Sequence, residues 1–201
     1  MPAQIITISR QYGSGGREVG EKLAKELGYA YYDKEVIRKA ISDNDISEEF
    51  LEKDGESLGT MFSYFLSFSN ATTDKNEESL PLPDRVFLIQ ARAMKQLATE
   101  GPCVIIGRCA DYIMRDEPDL LRVLVYSDMD SRLKRVMQRN ELSEKGAAAR
   151  IKKTDRSRQL YYEQYTDMRW GDAFNYDVSL STSTFGIDRT VDIIKDIALG
   201  M

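Results

Sequence analysis

The sequence predicts an α/β fold, a five-stranded parallel sheet flanked by helices, and three observations predict it. Short apolar runs recur along the 201 residues, most of them followed by a helix-period segment. The first run, Ile5–Ile8, breaks into a glycine-rich turn that opens a helix. The run Cys103–Ile106 is apolar at every position, as a strand buried on both faces requires.

The first unit organises the rest. After Ile5-Ile6-Thr7-Ile8 come Ser9-Arg10-Gln11-Tyr12-Gly13-Ser14-Gly15-Gly16-Arg17-Glu18, and then Val19, Leu23, Ala24 and Leu27 at helical spacing. Strand, glycine loop and helix aim backbone N–H groups and a helix N-terminus at one spot, where the dipole also favours an anion. Such a cradle takes phosphate. The match to the Walker pattern, Gly, four residues, Gly-Lys-Ser/Thr, is broken. One register puts Arg10 at the first glycine, Gly16 at the lysine and Arg17 at the hydroxyl residue. Slipping by one puts Gln11, Arg17 and Glu18 in those places. Gly13, Ser14, Gly15, Gly16, Arg17 and Glu18 are the candidate ATP-phosphate residues. Arg17 is expected to replace the missing lysine, because it starts the helix in both registers and a guanidinium can clamp two phosphate oxygens. The plainer reading is a turn that needs glycine only for its positive φ.

Gly28 closes the first helix, and Tyr29–Asp33 reads as the second strand. Ligands sit beyond the carboxyl ends of such strands, so Asp33 is expected near the loop. It could hold Mg²⁺ through water, accept a proton, or cap a helix over 34–41. Residues 43–83 alternate apolar clusters with a polar run ending at Pro81 and Pro83, which suggests a helical insertion. Its aromatics are expected to pack on the insertion's own core, with substrate cover or subunit pairing as the other readings. A long helix from Asp84 carries Val86, Ile89, Ala93 and Leu97, and Gly101-Pro102 ends it.

The third strand, Cys103–Arg108, delivers Arg108 at its carboxyl end, across a cleft from Arg38 and Lys39. Together these cations could neutralise a dianionic phosphate. Leu120–Tyr126 is the fourth strand. The helix from about Asp130 has Leu133, Val136 and Met137 on one side and Arg132, Arg135 and Arg139 on the other. A solvated face is the ordinary reading of such a stripe; its place beside the loop makes it a nucleotide-facing candidate. Residues 140–149 are polar and read as a helix break or lid, whose closure would bring Arg139, Arg156 and Arg158 over the phosphates. A helix bearing Arg156 and Arg158, the strand 177–181 and a closing helix over 190–199 complete one domain, 1–201.

Composition narrows the partners. The net charge of -5 argues against a general nucleic-acid binder. With no histidine, imidazole metal sites and His-based triads are excluded. Cys103 and Cys109 flank one apolar run and read as reduced core thiols. No stretch is long enough to span a membrane, and a cytoplasmic location is expected.

These pieces resemble the P-loop nucleoside monophosphate kinases, and among them the cytidylate kinase-like family. The carrying residues are the loop Ile8–Glu18, Tyr31-Tyr32-Asp33, Ile106-Gly107-Arg108, Lys152–Arg158, Trp170-Gly171-Asp172 and Asn175-Tyr176-Asp177. The resemblance implies a P-loop three-layer sandwich with an inserted monophosphate-binding region and a short arginine lid. It implies ATP and a nucleoside monophosphate, CMP or dCMP, as substrates. On physical grounds Mg²⁺ would bridge the donor phosphates, held mainly by them and by water, with Asp33 or Glu18 as the expected protein carboxylate. It matches Gly107-Arg108 to the acceptor-phosphate arginine and Asp155-Arg156-Ser157-Arg158 to the Asp-Arg-x-Arg element at the transferring phosphoryl group. Arg17, Asp33, Arg156 and Arg158 are thus the catalytic candidates, and Arg38, Lys39, Arg108 and Asp155 those for the acceptor. The cytidine kinases carry a second Asp where Ser157 stands, and a small Ser/Thr-Gly pair where Lys34-Glu35 stand. A nucleotide-binding sensor without catalysis and a kinase with a hydroxyl acceptor are the competing readings. The assembly state is open, a homodimer included.

Overall fold

A computed structural model describes residues 2–34 and 80–201. The expectations for Arg38, Lys39, the helix beyond Lys34 and the insertion up to residue 79 lie outside the described residues. Five parallel strands form one sheet: β1 (Ile5–Arg10), β2 (Ala30–Tyr32), β3 (Cys103–Ile106), β4 (Leu120–Tyr126) and β5 (Val178–Ser181), in the order β2-β3-β1-β4-β5. The central strand β1 aligns Ile5 with both Cys103 and Leu120, so β1, β3 and β4 point their carboxyl ends the same way. A site built there draws on all three.

Alternation along the strands fills two cores. Ile6, Ile8, Val104, Ile106, Val123 and Val125 face the helices α1 (Gly16–Leu27) and the last helix, meeting Val19, Leu23, Val191 and Ile194. Ile5, Cys103, Ile105 and Leu120 face the other way, toward α2 (Leu82–Thr99), the short α3 (Ala110–Ile113) and Tyr162. Helices on both faces explain why β3 is apolar throughout. Both cysteines are free and buried, and burial pushes the Cys103 thiol up to about 11. They are inert core residues, as the sequence suggested.

Several boundaries differ from the sequence reading. The third strand stops at Ile106, because Gly107, Arg108 and Cys109 take consecutive φ values of 69, 57 and 56°. Three left-handed residues turn the chain sharply and leave Arg108 at the mouth of the sheet. Helix α4 (Met129–Asn140) starts after Asp128, whose side chain accepts from the Ser131 amide at 2.7 Å. The break expected over 140–149 is shorter: Glu141 is left-handed, Ser143 caps, and α5 runs from Glu144 to Thr166. Ala147 and Ile151 are buried against Val136, so the polar run hides an apolar helix face. The closing helix α6 begins at Thr182, interrupted only at Gly186. Among the described residues no helix is long and apolar enough to cross a membrane.

Candidate active site

The loop between β1 and α1 is fixed from outside. Gln11 donates its amide to the Val125 carbonyl at 3.1 Å, tying the loop to β4. The Tyr12 amide donates to Asp155 Oδ1 of α5 at 2.7 Å, and Arg132 Nε of α4 donates to the Tyr12 carbonyl at 2.8 Å. Arg132 and Asp155 also form an ion pair with each other. Thr182 Oγ1 donates to the Ser14 carbonyl at 2.6 Å. Gly13 and Gly15 sit at φ 81 and 84°, and a Cβ on Gly13 would come within 2.8 Å of Val136 Cγ2. Glycine is therefore needed here for conformation and for clearance. Among the described residues the amides of Gly13, Gly15, Arg17 and Glu18 have no protein acceptor. The turn is thus an anion nest at a helix N-terminus.

Beside the nest is a pocket lined by Ser9, Arg10, Arg108, Ser157, Arg158 and Tyr161, among others. Each arginine reaches it from a different element. Arg10 ends β1. Arg108 is turned in by its left-handed backbone, a strained conformation of the kind found at functional sites, and its guanidinium carbon lies 5.9 Å from the Tyr161 ring centroid. Arg158 comes from α5; it donates to the Arg10 carbonyl at 2.7 Å and stands 5.7 Å from the Tyr12 ring centroid. Burial, then the charges of Arg158 and Arg108, hold the Arg10 pKa well below its ordinary value. Burial also lowers Arg158, with Asp155 and Tyr12 opposing and Arg132 and Arg108 adding. Among the described residues neither Arg10 nor Arg158 has an ion-pair partner. Three arginines turned into one pocket give it the positive charge that draws an anionic ligand.

Other sequence candidates are placed differently. Arg17 Nη2 pairs with Asp33 Oδ2 at 2.8 Å and its Nε with Glu21 Oε1 at 3.1 Å, which holds it along α1. Arg132, 5% exposed, is committed to the Tyr12 clamp, and Asp155 shares that clamp. Arg135 Nη1 reaches Glu18 Oε2 at 3.3 Å. Arg139 and Arg156 are exposed, and Arg156 bonds Gln159 at 3.1 Å, away from the pocket-facing side of α5. The sequence reading noted Arg10 only as a misfit at the first Walker glycine. That misfit was the available signal: a cation at a strand end beside a glycine loop.

Below the pocket, Asp111 is buried and accepts from the Tyr162 hydroxyl at 2.6 Å. Burial pushes its carboxyl up, against the Tyr162 bond and the Arg122 charge. Cys109 stacks its own burial on that carboxylate's field and is pushed up as well.

The fit for Mg²⁺ is limited on the protein side. Among the described residues no three carboxylate or thiol groups cluster as a metal cage. Asp33 is paired with Arg17, and Glu18 with Arg135 and Lys22. These donors suit a metal that arrives on phosphate oxygens with its own water, and not a resident ion.

The cytidylate kinase-like family matches this chain over residues 5–184. A cytidylate kinase from Methanopyrus kandleri is 25% identical over 199 residues, covering 95% of this chain and 91% of its own. An uncharacterized protein from Eubacterium ventriosum superposes with a TM-score of 0.73 at 26% identity, over 96% of this chain and 97% of that one. A shikimate kinase from Bacteroides thetaiotaomicron shares the fold, with a TM-score of 0.51 at 11% identity over 96% of this chain and 97% of that one. Matched from the first strand through the last, with the nest and its sheet in place, the chain belongs to the cytidylate kinase-like family and is built as a P-loop kinase.

Proposed function

We propose that the protein transfers the terminal phosphoryl group of ATP to a nucleoside monophosphate, with CMP or dCMP the favoured acceptor. The observation that carries this reading is the convergence of Arg10, Arg108 and Arg158 on one pocket next to the loop nest. The nest amides hold the donor phosphates. Arg108 offers its charge to the acceptor phosphate, and Arg158 bridges the two sides. An acceptor phosphate oxygen attacks the γ-phosphorus, the bond to the β–γ bridging oxygen breaks, and ADP leaves with the electron pair. Such transfer asks for alignment and positive charge around the equatorial oxygens, not for a covalent protein nucleophile. Mg²⁺ entering with ATP would neutralise donor charge.

The preference for cytosine rests on the family and on the relatives' names, because a guanidinium grip on phosphate is blind to the base. Ser157 lines the pocket and is a candidate for base recognition. A site that hydrogen-bonds its substrate can reject a wrong partner by ~10⁴. The test is an ADP-release assay with ATP, Mg²⁺ and a panel of nucleoside monophosphates, with a no-acceptor control. Turnover confined to CMP and dCMP is expected. Turnover with another acceptor would keep the kinase and replace the base. ATP binding without turnover on any acceptor would favour the sensor reading, which the glycine at the Walker lysine position motivates.

A further inference from the structure

Arg10 and Gly16 stand in each other's places. In the Walker pattern a glycine opens the loop and a lysine follows its last glycine. Here, in the register with Gly13-Ser14-Gly15 at the centre, an arginine opens the loop and a glycine stands at the lysine. The structure couples the two changes. A Cβ on Gly16 would lie 2.6 Å from Arg10 Cβ and 3.1 Å from Arg10 Cγ. The stem of Arg10 therefore fills the ground on which a side chain at position 16 would stand. Its guanidinium continues over Gly107, where any Cβ would collide with Arg10 Nη1. Gly16 clears the path of the stem and Gly107 clears the path of the head.

The head ends among cations. Arg108 and Arg158 are its charged neighbours in the pocket, with Arg17 contributing more weakly. Among the described residues it has no ion-pair partner. Arg17, by contrast, spends its charge on Asp33 and Glu21 at 2.8 and 3.1 Å. A half-buried guanidinium among other cations is a place where an arriving anion gains most.

We propose that Arg10 supplies the charge of the absent Walker lysine, reaching the transferring phosphoryl group from the strand end instead of from the helix start. This rests on the kinase reading above and assigns its donor-side cation. A guanidinium delivered between Arg108 and Arg158 would contact the phosphoryl group where donor and acceptor meet. Its fork can bridge two oxygens, which an ammonium cannot.

The exchange itself is the test. Calorimetric titration with MgATP is run on the wild type, Arg10→Met, Arg10→Lys, Arg17→Ala, Gly16→Lys, Arg10→Gly and the double variant Arg10→Gly/Gly16→Lys, each checked for a cooperative thermal transition. Arg10→Met is expected to weaken ATP at least ~10-fold and Arg17→Ala less than ~3-fold, since charge-assisted bonds carry the larger share. Arg10→Lys retains the charge and should lose less than Arg10→Met. Gly16→Lys alone collides with the Arg10 stem and should bind poorly. The double variant restores the Walker order and should regain most of what Arg10→Gly loses. ATP affinity unchanged in Arg10→Met, or a double variant no tighter than Arg10→Gly, overturns the inference while leaving the kinase intact. Arg10-dependent ATP binding without turnover on any acceptor removes the kinase reading and keeps Arg10. A wild type with no affinity for ATP overturns both.

Discussion

Asp111 carries its charge at a cost. It is buried, burial pushes its pKa up, and the Tyr162 hydroxyl at 2.6 Å and the Arg122 charge only partly compensate. A raised carboxyl pKa means that the folded chain holds a proton which the unfolded chain has released. Stability is then greatest below the unfolded value, ~4, and falls as pH rises toward the folded one. Asp111→Asn keeps an oxygen to accept from Tyr162 and cannot ionise. Its urea midpoint should equal or exceed that of the wild type at neutral pH, with the gap opening as pH climbs above ~4. Parallel pH profiles for the two proteins would contradict the account. The residue scale is also where sequence reading was least complete. Arg17 invites a phosphate role by position, but nothing in its neighbours in sequence announces that Asp33, brought in by β2, will pair with it. Arg10 looks like a defect in a motif until Gly107 and Gly16 are placed around it.

At the scale of elements, α5 ties the site together. One of its faces buries Ala147 and Ile151 against α4, Asp155 accepts the Tyr12 amide, and Arg158 enters the pocket one turn later. Asp155 and Arg158 lie three residues apart, on one side of the helix. The carboxylate sets the loop while the guanidinium meets the phosphates. The sequence assigned Asp155 to the acceptor, and the two roles separate experimentally. Asp155→Ala leaves Arg132 buried without its partner and the Tyr12 amide without its acceptor, which should cost about 3 kcal/mol of stability. If Asp155 is a loop clamp, both ATP and monophosphate affinities fall together and Asp155→Asn recovers part of each. An acceptor KM that rises alone, with stability unchanged, would return Asp155 to the acceptor site. The helix was legible in the sequence from its periodic arginines and tyrosines. Its start was not, because Glu144, Lys145 and Gly146 mask the buried Ala147 behind a polar run. Capping by Ser143, whose hydroxyl accepts the Gly146 amide at 3.3 Å, was the signal that marked it.

Across the whole molecule, a chain with a net charge of -5 brings Arg10, Arg108 and Arg158 together at the carboxyl ends of its central strands. The overall order of strands and helices was legible, because each strand is a compact apolar run and each buried face repeats at the spacing its element demands. The left-handed turn at Gly107-Arg108-Cys109 was not, since arginine and cysteine rarely adopt that conformation and only the site needs it there. The central claim is that one continuous site holds donor and acceptor phosphates together, gripped by cations from β1, the turn after β3 and α5. Calorimetric titration with adenosine and cytidine joined 5′ to 5′ by a pentaphosphate bridge, in the presence of Mg²⁺, tests it most directly. The account predicts one molecule bound per chain, at least ~100-fold tighter than ATP alone and displaced by either ATP or CMP. An affinity no better than that of ATP, untouched by CMP, would contradict it.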